Sequence, residues 1–239
     1  MIRTIKPNST RSSFGRCSAC SVRSLSICGA LDQADLEAFE RIARHVHLAP
    51  NEALFTAGQP ASSVHTLTVG VARLYKLLPD GRRQVIGFAL PGDFLGAAPS
   101  GRYSYSVDAV DSVSACRLSV EAFTHFIEQR PHVLLRINEF GARELMLAQD
   151  QMLLLGRRTA EEKVAAFLVG WRERQARAGD EQQTITLPMS RQDIADYLGL
   201  TIETVSRTLT RLEREKLLII IAGGVRLLDS TRAEAMAAA

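Results

Sequence analysis

Four cysteines are the residues of this 239-residue chain most able to do chemistry. Cys17, Cys20 and Cys28 stand near the amino terminus in the spacing C-x2-C-x7-C, and Cys116 lies far along in Val113-Ser-Ala-Cys116-Arg-Leu. Four thiolates close a tetrahedral zinc site or hold an iron–sulfur cluster. The residues alone leave both open, one a redox-silent staple and the other a reactive centre. Five histidines, His45, His47, His65, His125 and His132, add candidate haem ligands, although ordinary surface histidine is the simpler reading of them. No Ser/His/Asp arrangement or Gly-rich phosphate loop appears, and no βαβ pattern surrounds the CxxC, so the chain does not read as an enzyme.

Composition fixes the setting of that chemistry. Hydrophobic residues make up 46% and charged residues 23%, an ordinary globular balance. No apolar run approaches the ~18 residues of a membrane span, and the basic stretch before Cys17 lacks the apolar core of a signal peptide. A cytoplasmic protein with no membrane partner is expected, where disulfides are disfavoured and CxxC reads as metal or redox chemistry. The net charge is only +3, so any basic surface must be local.

The elements that position the cysteines follow from periodicity. Residues 1–30, cysteine-rich and poor in apolar anchors, are expected to be irregular unless the cysteines order them. Leu31, Leu36, Phe39 and Ile42 then mark an amphipathic helix. From Leu48 to Leu118 short β runs alternate with Ala57-Gly-Gln-Pro, Pro79-Asp-Gly-Arg and Pro91-Gly-Asp turns, which predicts a small antiparallel barrel or jelly roll. Helical spacing returns after Ser119. Leu134, Ile137, Gly141, Leu145, Ala148, Met152 and Leu155 recur every three or four residues along 131–157. They suggest either a helix packed on its own barrel or a two-helix dimer seam, and the length of the stripe favours the seam. The expected class is α+β, with a cysteine segment (1–30), a β-barrel (31–130), a dimerisation helix (131–157) and a last domain (158–239) that opens on the capping-box spacing of Thr159 and Glu162.

Within that last domain, Ser190 can cap a helix whose buried face is Ile194, Ala195 and Leu198, Gly199 supplies a turn, and Thr201 caps a second helix. Val205, Leu209 and Leu212 bury one side of it. Glu203, Ser206, Arg207, Thr210, Arg211 and Arg214 occupy the other, a helix-turn-helix pattern with a polar reading face. Glu203 can accept from cytosine N4 and Arg207 can bond guanine O6 and N7 in two places. Ser206, Thr201 and Arg191 complete the candidate DNA-binding set. Two apolar runs around Gly223-Gly224 read as a β-hairpin, the wing of a winged helix.

With these residues in view the chain resembles the CRP/FNR superfamily of bacterial transcription regulators over nearly its whole length. Gly92-Asp-Phe-Leu-Gly96 is similar to the family's sensor-barrel signature, and Ala160-Glu-Glu-Lys-Val-Ala-Ala-Phe to its hinge region. Ile202-Glu203 and Ser206-Arg207 resemble the FNR/FixK branch, as does C-x2-C-x7-C. The resemblance implies a [4Fe–4S] cluster on Cys17, Cys20, Cys28 and Cys116, oxygen-responsive control of transcription, and a homodimer joined through Ile137, Gly141, Leu145, Ala148, Met152 and Leu155. It implies a TTGAT-N4-ATCAA-like palindrome of double-stranded DNA and contact with RNA polymerase, for which the hairpin Pro79-Asp-Gly-Arg-Arg83 is a candidate patch. Where the cyclic-AMP branch has Gly-Glu and Arg-Ser, this chain has Gly96-Ala97 and Tyr103-Ser104. A cyclic nucleotide therefore lacks its cationic partner unless Arg102 substitutes. An acidic residue that opposes dimerisation in enteric members corresponds to Ala148, which implies a more stable cluster-free dimer here. Zinc, haem or a nucleotide in place of the cluster remain the alternatives.

Overall fold

The computed structural model describes residues 17–98, 100–157, 159–177 and 184–238. The basic opening before Cys17 and the loop expected at 178–181 lie outside them. The chain divides into two compact units, Met1–Gly70 with Ala89–Gly141, and Val71–Phe88 with Ala142–Ala239.

In the first unit, Asp32 caps helix α1 (Gln33–Ile42) through its side chain to the Asp35 N–H, and Leu36 and Phe39 are buried as the periodicity requires. Strands β1 (Arg44–Leu48), β8 (Val113–Ser119), β3 (Ser63–Val69) and β6 (Phe94–Leu95) form an antiparallel sheet in the order β1-β8-β3-β6. Strand β2 (Ala53–Phe55) pairs with β7 (Ser106–Ala109). These are open sheets rather than a closed barrel. Helix α2 (Val120–Glu128) follows β8 at once, capped by Ser119. Leu118 and Val64 on one face of the sheet join Phe39, Phe123 and Phe126 in the core, together with Val133 and Phe140 from the first part of helix α3 (Pro131–Arg157).

The second unit contains the hairpin β4 (Ala72–Leu77) and β5 (Arg83–Ala89), whose last residue Ala89 belongs to the first unit, with helix α4 (Ala160–Arg177) and the helices α5 (Arg191–Leu198) and α6 (Ile202–Arg214). A three-stranded sheet has β11 (Gly224–Leu227) between β10 (Leu218–Ile221) and β9 (Thr184–Thr186), and helix α7 (Ser230–Ala238) closes the chain. Thr159 and Glu162 exchange the two bonds of the expected capping box. Phe88, Phe167, Trp171 and Tyr197 form an aromatic core with centroids 5.6–6.3 Å apart. The Trp171 indole N–H donates to Thr186 O at 2.8 Å, which ties α4 to the strand before the reading module.

Two expectations change. Ile137, read as part of a dimer seam, packs against the first unit's own core, whereas Leu145 (59% exposed) and Met152 (64%) remain open. Residues 17–30 are better anchored than their composition suggests. Cys17, Val22 and Ile27 are buried. Leu25 lies so close to Gly92 that a Cβ there would meet it at 2.8 Å, and Gly92 has φ +101. The glycine of the Gly92–Gly96 signature therefore serves as a floor for the cysteine segment.

Candidate functional site

The reading module is built by short-range chemistry. Ser190 accepts from Asp193 N while Asp193 accepts from Ser190 N, a reciprocal capping box. Ile194, Ala195 and Leu198 are buried, and Gly199 ends α5 in the left-handed region at φ 62. Thr201 caps α6 by accepting from Thr204 N. Val205, Leu209 and Leu212 are buried, as the spacing requires. Thr201, Ile202, Glu203, Ser206 and Arg207 line one open depression. The Glu203 carboxyl is held below its ordinary range by its own backbone N–H, then by Thr201, with the Arg207 charge adding to both. It stays an ionised acceptor. Arg191 is exposed on the preceding helix.

Arg211, read from the sequence as part of the polar face, is committed elsewhere. It bonds Glu161 at 2.5 Å and Glu215 at 3.0 Å. Thr210 donates to the Ser206 carbonyl. Gly223 and Gly224 turn out to do different work. Gly223 makes the turn at φ +75, while a Cβ on Gly224 would meet the Ile185 carbonyl at 2.1 Å, where β9 and β11 pair.

Nothing in the residue pattern points to the anchor beneath this module. Asp193 is bonded by Arg73 of β4 and by Arg83 of β5, each at 2.5 Å, and Arg83 also reaches Asp196 at 2.7 Å. Burial pushes the Asp193 carboxyl up, but the Ser190 bonds and the Arg73 charge outweigh it and hold the group below its usual value. Arg83 is thus withdrawn from the candidate polymerase patch, because two carboxylates of α5 claim its guanidinium. The hairpin tip is exposed, with Leu77 66% and the Arg82 side chain 77%, although Arg82 pairs with Asp80 at 2.7 Å.

The four cysteines come from three separate places and meet in the first unit. All are free thiols, Cys17 and Cys116 buried and the other two half-buried. Cys17, Cys20 and Cys28 all act electrostatically on Cys116, Cys17 and Cys20 act on Cys28, and Cys20 acts on Cys17. Burial and then mutual repulsion push Cys116 up to about 12, and burial followed by the Glu40 charge takes Cys17 to about 11. Cys28 is raised to about 12, mainly by burial and against the pull of Ser26. Four thiols in low dielectric with little positive charge around them suit a thiolate-held centre, since the cation there supplies the missing charge. No three of them stand at coordinating separations among the described residues. Strand β1, which the turn pattern did not reveal, sets His45 opposite Cys116 with Nδ1 3.8 Å from the sulfur. The alternation in Arg44-His-Val-His-Leu was the available signal.

At the places of a nucleotide pocket, the Tyr103 hydroxyl donates to Ser63 O at 2.7 Å and Arg102 donates to Gly58 O at 2.5 Å. Arg102 is occupied by a backbone carbonyl.

A sensor-type β domain followed by a winged helix-turn-helix defines a DNA-binding transcription regulator rather than an enzyme. The family of bacterial regulatory proteins, crp family, matches residues 187–218, and the cyclic nucleotide-binding domain matches residues 45–130. The chain is 62% identical over 234 residues to the transcriptional activatory protein AadR of Rhodopseudomonas palustris, covering 98% of each. It is 56% identical to the nitrogen fixation regulation protein FixK of Bradyrhizobium diazoefficiens, covering 93% of this chain and 94% of that one. The structure of FixK2 from Bradyrhizobium japonicum superposes with a TM-score of 0.77 at 37% identity, covering 83% of this chain and 98% of that one. The chain belongs to the CRP/FNR family of transcription regulators. None of its helices, among the described residues, is long and apolar enough to cross a membrane.

Proposed function

We propose that the chain is an oxygen-responsive transcription activator that works as a homodimer, with Cys17, Cys20, Cys28 and Cys116 holding a [4Fe–4S] cluster. The observation that carries this reading is the meeting of four buried or half-buried thiols from the amino-terminal segment and from β8. When bound, such a cluster supplies a centre that reacts with oxygen. The chain's own residues supply the rest. Cys17 and Cys28 belong to or pack on the same apolar core as Val133, Ile137 and Phe140 of α3. Ordering the cysteine segment therefore bears on the first turns of the helix whose later turns expose Leu145, Ala148 and Met152 for pairing. Two reading helices then enter successive major grooves about one helical turn, ~34 Å, apart on a TTGAT-N4-ATCAA-like palindrome. Glu203 and Arg207 read base edges, while Ser206, Thr201 and Arg191 bond bases or phosphates. The hairpin tip at Leu77–Arg82 meets RNA polymerase. The similarity to proteins described as activators supports the direction of control.

Anaerobic purification tests the centre. A brown protein whose visible absorbance bleaches in air, with DNA binding lost in parallel, is expected. A colourless protein carrying stoichiometric zinc refutes the sensor.

A further inference from the structure

The sheet face opposite the cysteines carries a second polar arrangement. Side chains alternate along a strand, so Cys116 and Leu118 face the core under α1 and α2, while Arg117 turns to the other side. There His65 of β3 is its direct cross-strand partner. Both line a cavity of about 200 Å³, walled also by Val46, Leu48, Phe55 and Tyr103. Phe55 stacks on Tyr103 at 4.0 Å and on the His65 ring at 5.7 Å.

Among the described residues, one buried group in this cavity lacks a hydrogen-bond partner, and a half-buried cation beside it lacks a carboxylate. Arg117 Nε donates to Ser63 Oγ at 3.1 Å, and no carboxylate pairs with the guanidinium among the described residues. One acidic group, Glu52, also lines the cavity; it is half-buried and its carboxylate accepts from the Ala49 N–H. His65 is only 2% exposed, yet its Nδ1 makes no hydrogen bond. Burial, reinforced by the Arg117 charge, takes this imidazole down to about 4, so it is neutral at physiological pH. Unpaired polar atoms this deep are rare in folded proteins. A guanidinium fork matches the two oxygens of a carboxylate, and one cation beside an aromatic wall suits a monoanion better than a phosphate dianion.

We propose that this cavity is a ligand site for a small carboxylate, whose acid group meets Arg117 and His65 while an apolar body of a few carbons lies against Phe55. The site depends neither on the thiols nor on DNA binding. It is tested by isothermal titration of the full chain with butyrate, alongside acetate, inorganic phosphate and cyclic AMP. Saturable binding of butyrate at one site per chain is expected, tighter than that of the other three. Arg117→Gln weakens it roughly 10- to 100-fold. Val46→Phe, which fills the cavity and keeps the charge, abolishes it, and serves alone if circular dichroism shows Arg117→Gln unfolded. Absence of saturable butyrate binding, tighter binding of phosphate or cyclic AMP, or binding that survives Val46→Phe overturns the proposal.

Discussion

The reading helix and the thiol cluster are made at opposite ranges of the chain. The caps and the turn that start α6 come from within a few residues. Ser190 and Asp193 cap each other, Gly199 turns the chain, and Thr201 caps the next helix. The thiol cluster joins Cys17 to Cys116 across 99 positions of sequence (116 − 17) and needs β1, β3, α1 and a 3-10 turn at Ile27–Ala30 to bring them together. A module fixed by local caps should lose function one contact at a time. A site assembled from distant elements should fail as a whole.

The largest expected effect tests that all-or-none behaviour. Cys116→Ala removes the one thiol that comes from the sheet, and should abolish both the anaerobic chromophore and operator binding. A variant that keeps a stable visible spectrum would show that the amino-terminal cysteines suffice, and the contrast would collapse. Next, Arg207→Ala should leave spectrum and fold intact while specific binding falls by about 1–3 kcal/mol per half-site, read by fluorescence anisotropy on matched and scrambled operators. Equal loss on both operators would assign Arg207 to the phosphates instead.

The reading module is not wholly local, and Asp193 shows where. Asp193→Asn removes the carboxylate that the buried Arg73 guanidinium (9% exposed) and Arg83 both bond, which should cost about 3 kcal/mol or more in guanidinium chloride unfolding. The pH dependence has a definite sign. A carboxyl held below its ordinary value contributes stability that is complete above the unfolded value near ~4, and that stability is lost as pH falls through the lower folded value. The wild type should lose this increment below about pH 4, and the variant, lacking it, should show a shallower acid limb.

The smallest effect concerns a single cap. Gly199→Ala places a Cβ at φ 62, 3.3 Å from Leu155, and should destabilise by about 1 kcal/mol with little change in operator preference. A larger loss of DNA affinity than of stability would mean that the turn sets the pitch of α6.

Much of this could be read before any coordinates. Binary pattern and turn residues marked the strands from β2 to β5, with β7, β8 and the long helix, because each obeys a period within a few residues. Strand β1 escaped because its alternation spans only five residues, two of them histidines, and no turn residue precedes it, and with it went the neighbour of Cys116. Ile137 carried the right spacing for a seam but packs inward, since periodicity marks an apolar face and not its partner. Arg73, Arg83 and Asp193 looked like solvated charges, and only the fold shows them joined.

By itself, then, the sequence determined the helix-turn-helix, its caps and the buried face of its second helix, because capping and amphipathic spacing act over three or four residues. Tertiary structure alone decided that the amino-terminal thiols and Cys116 come within electrostatic reach of one another, that Arg83 serves α5, and that Arg117 and His65 face a cavity on the far side of the cysteine strand. Those outcomes depend on strand register and on which face of β8 meets the helices, and such long-range pairings are set by the packing of the whole unit.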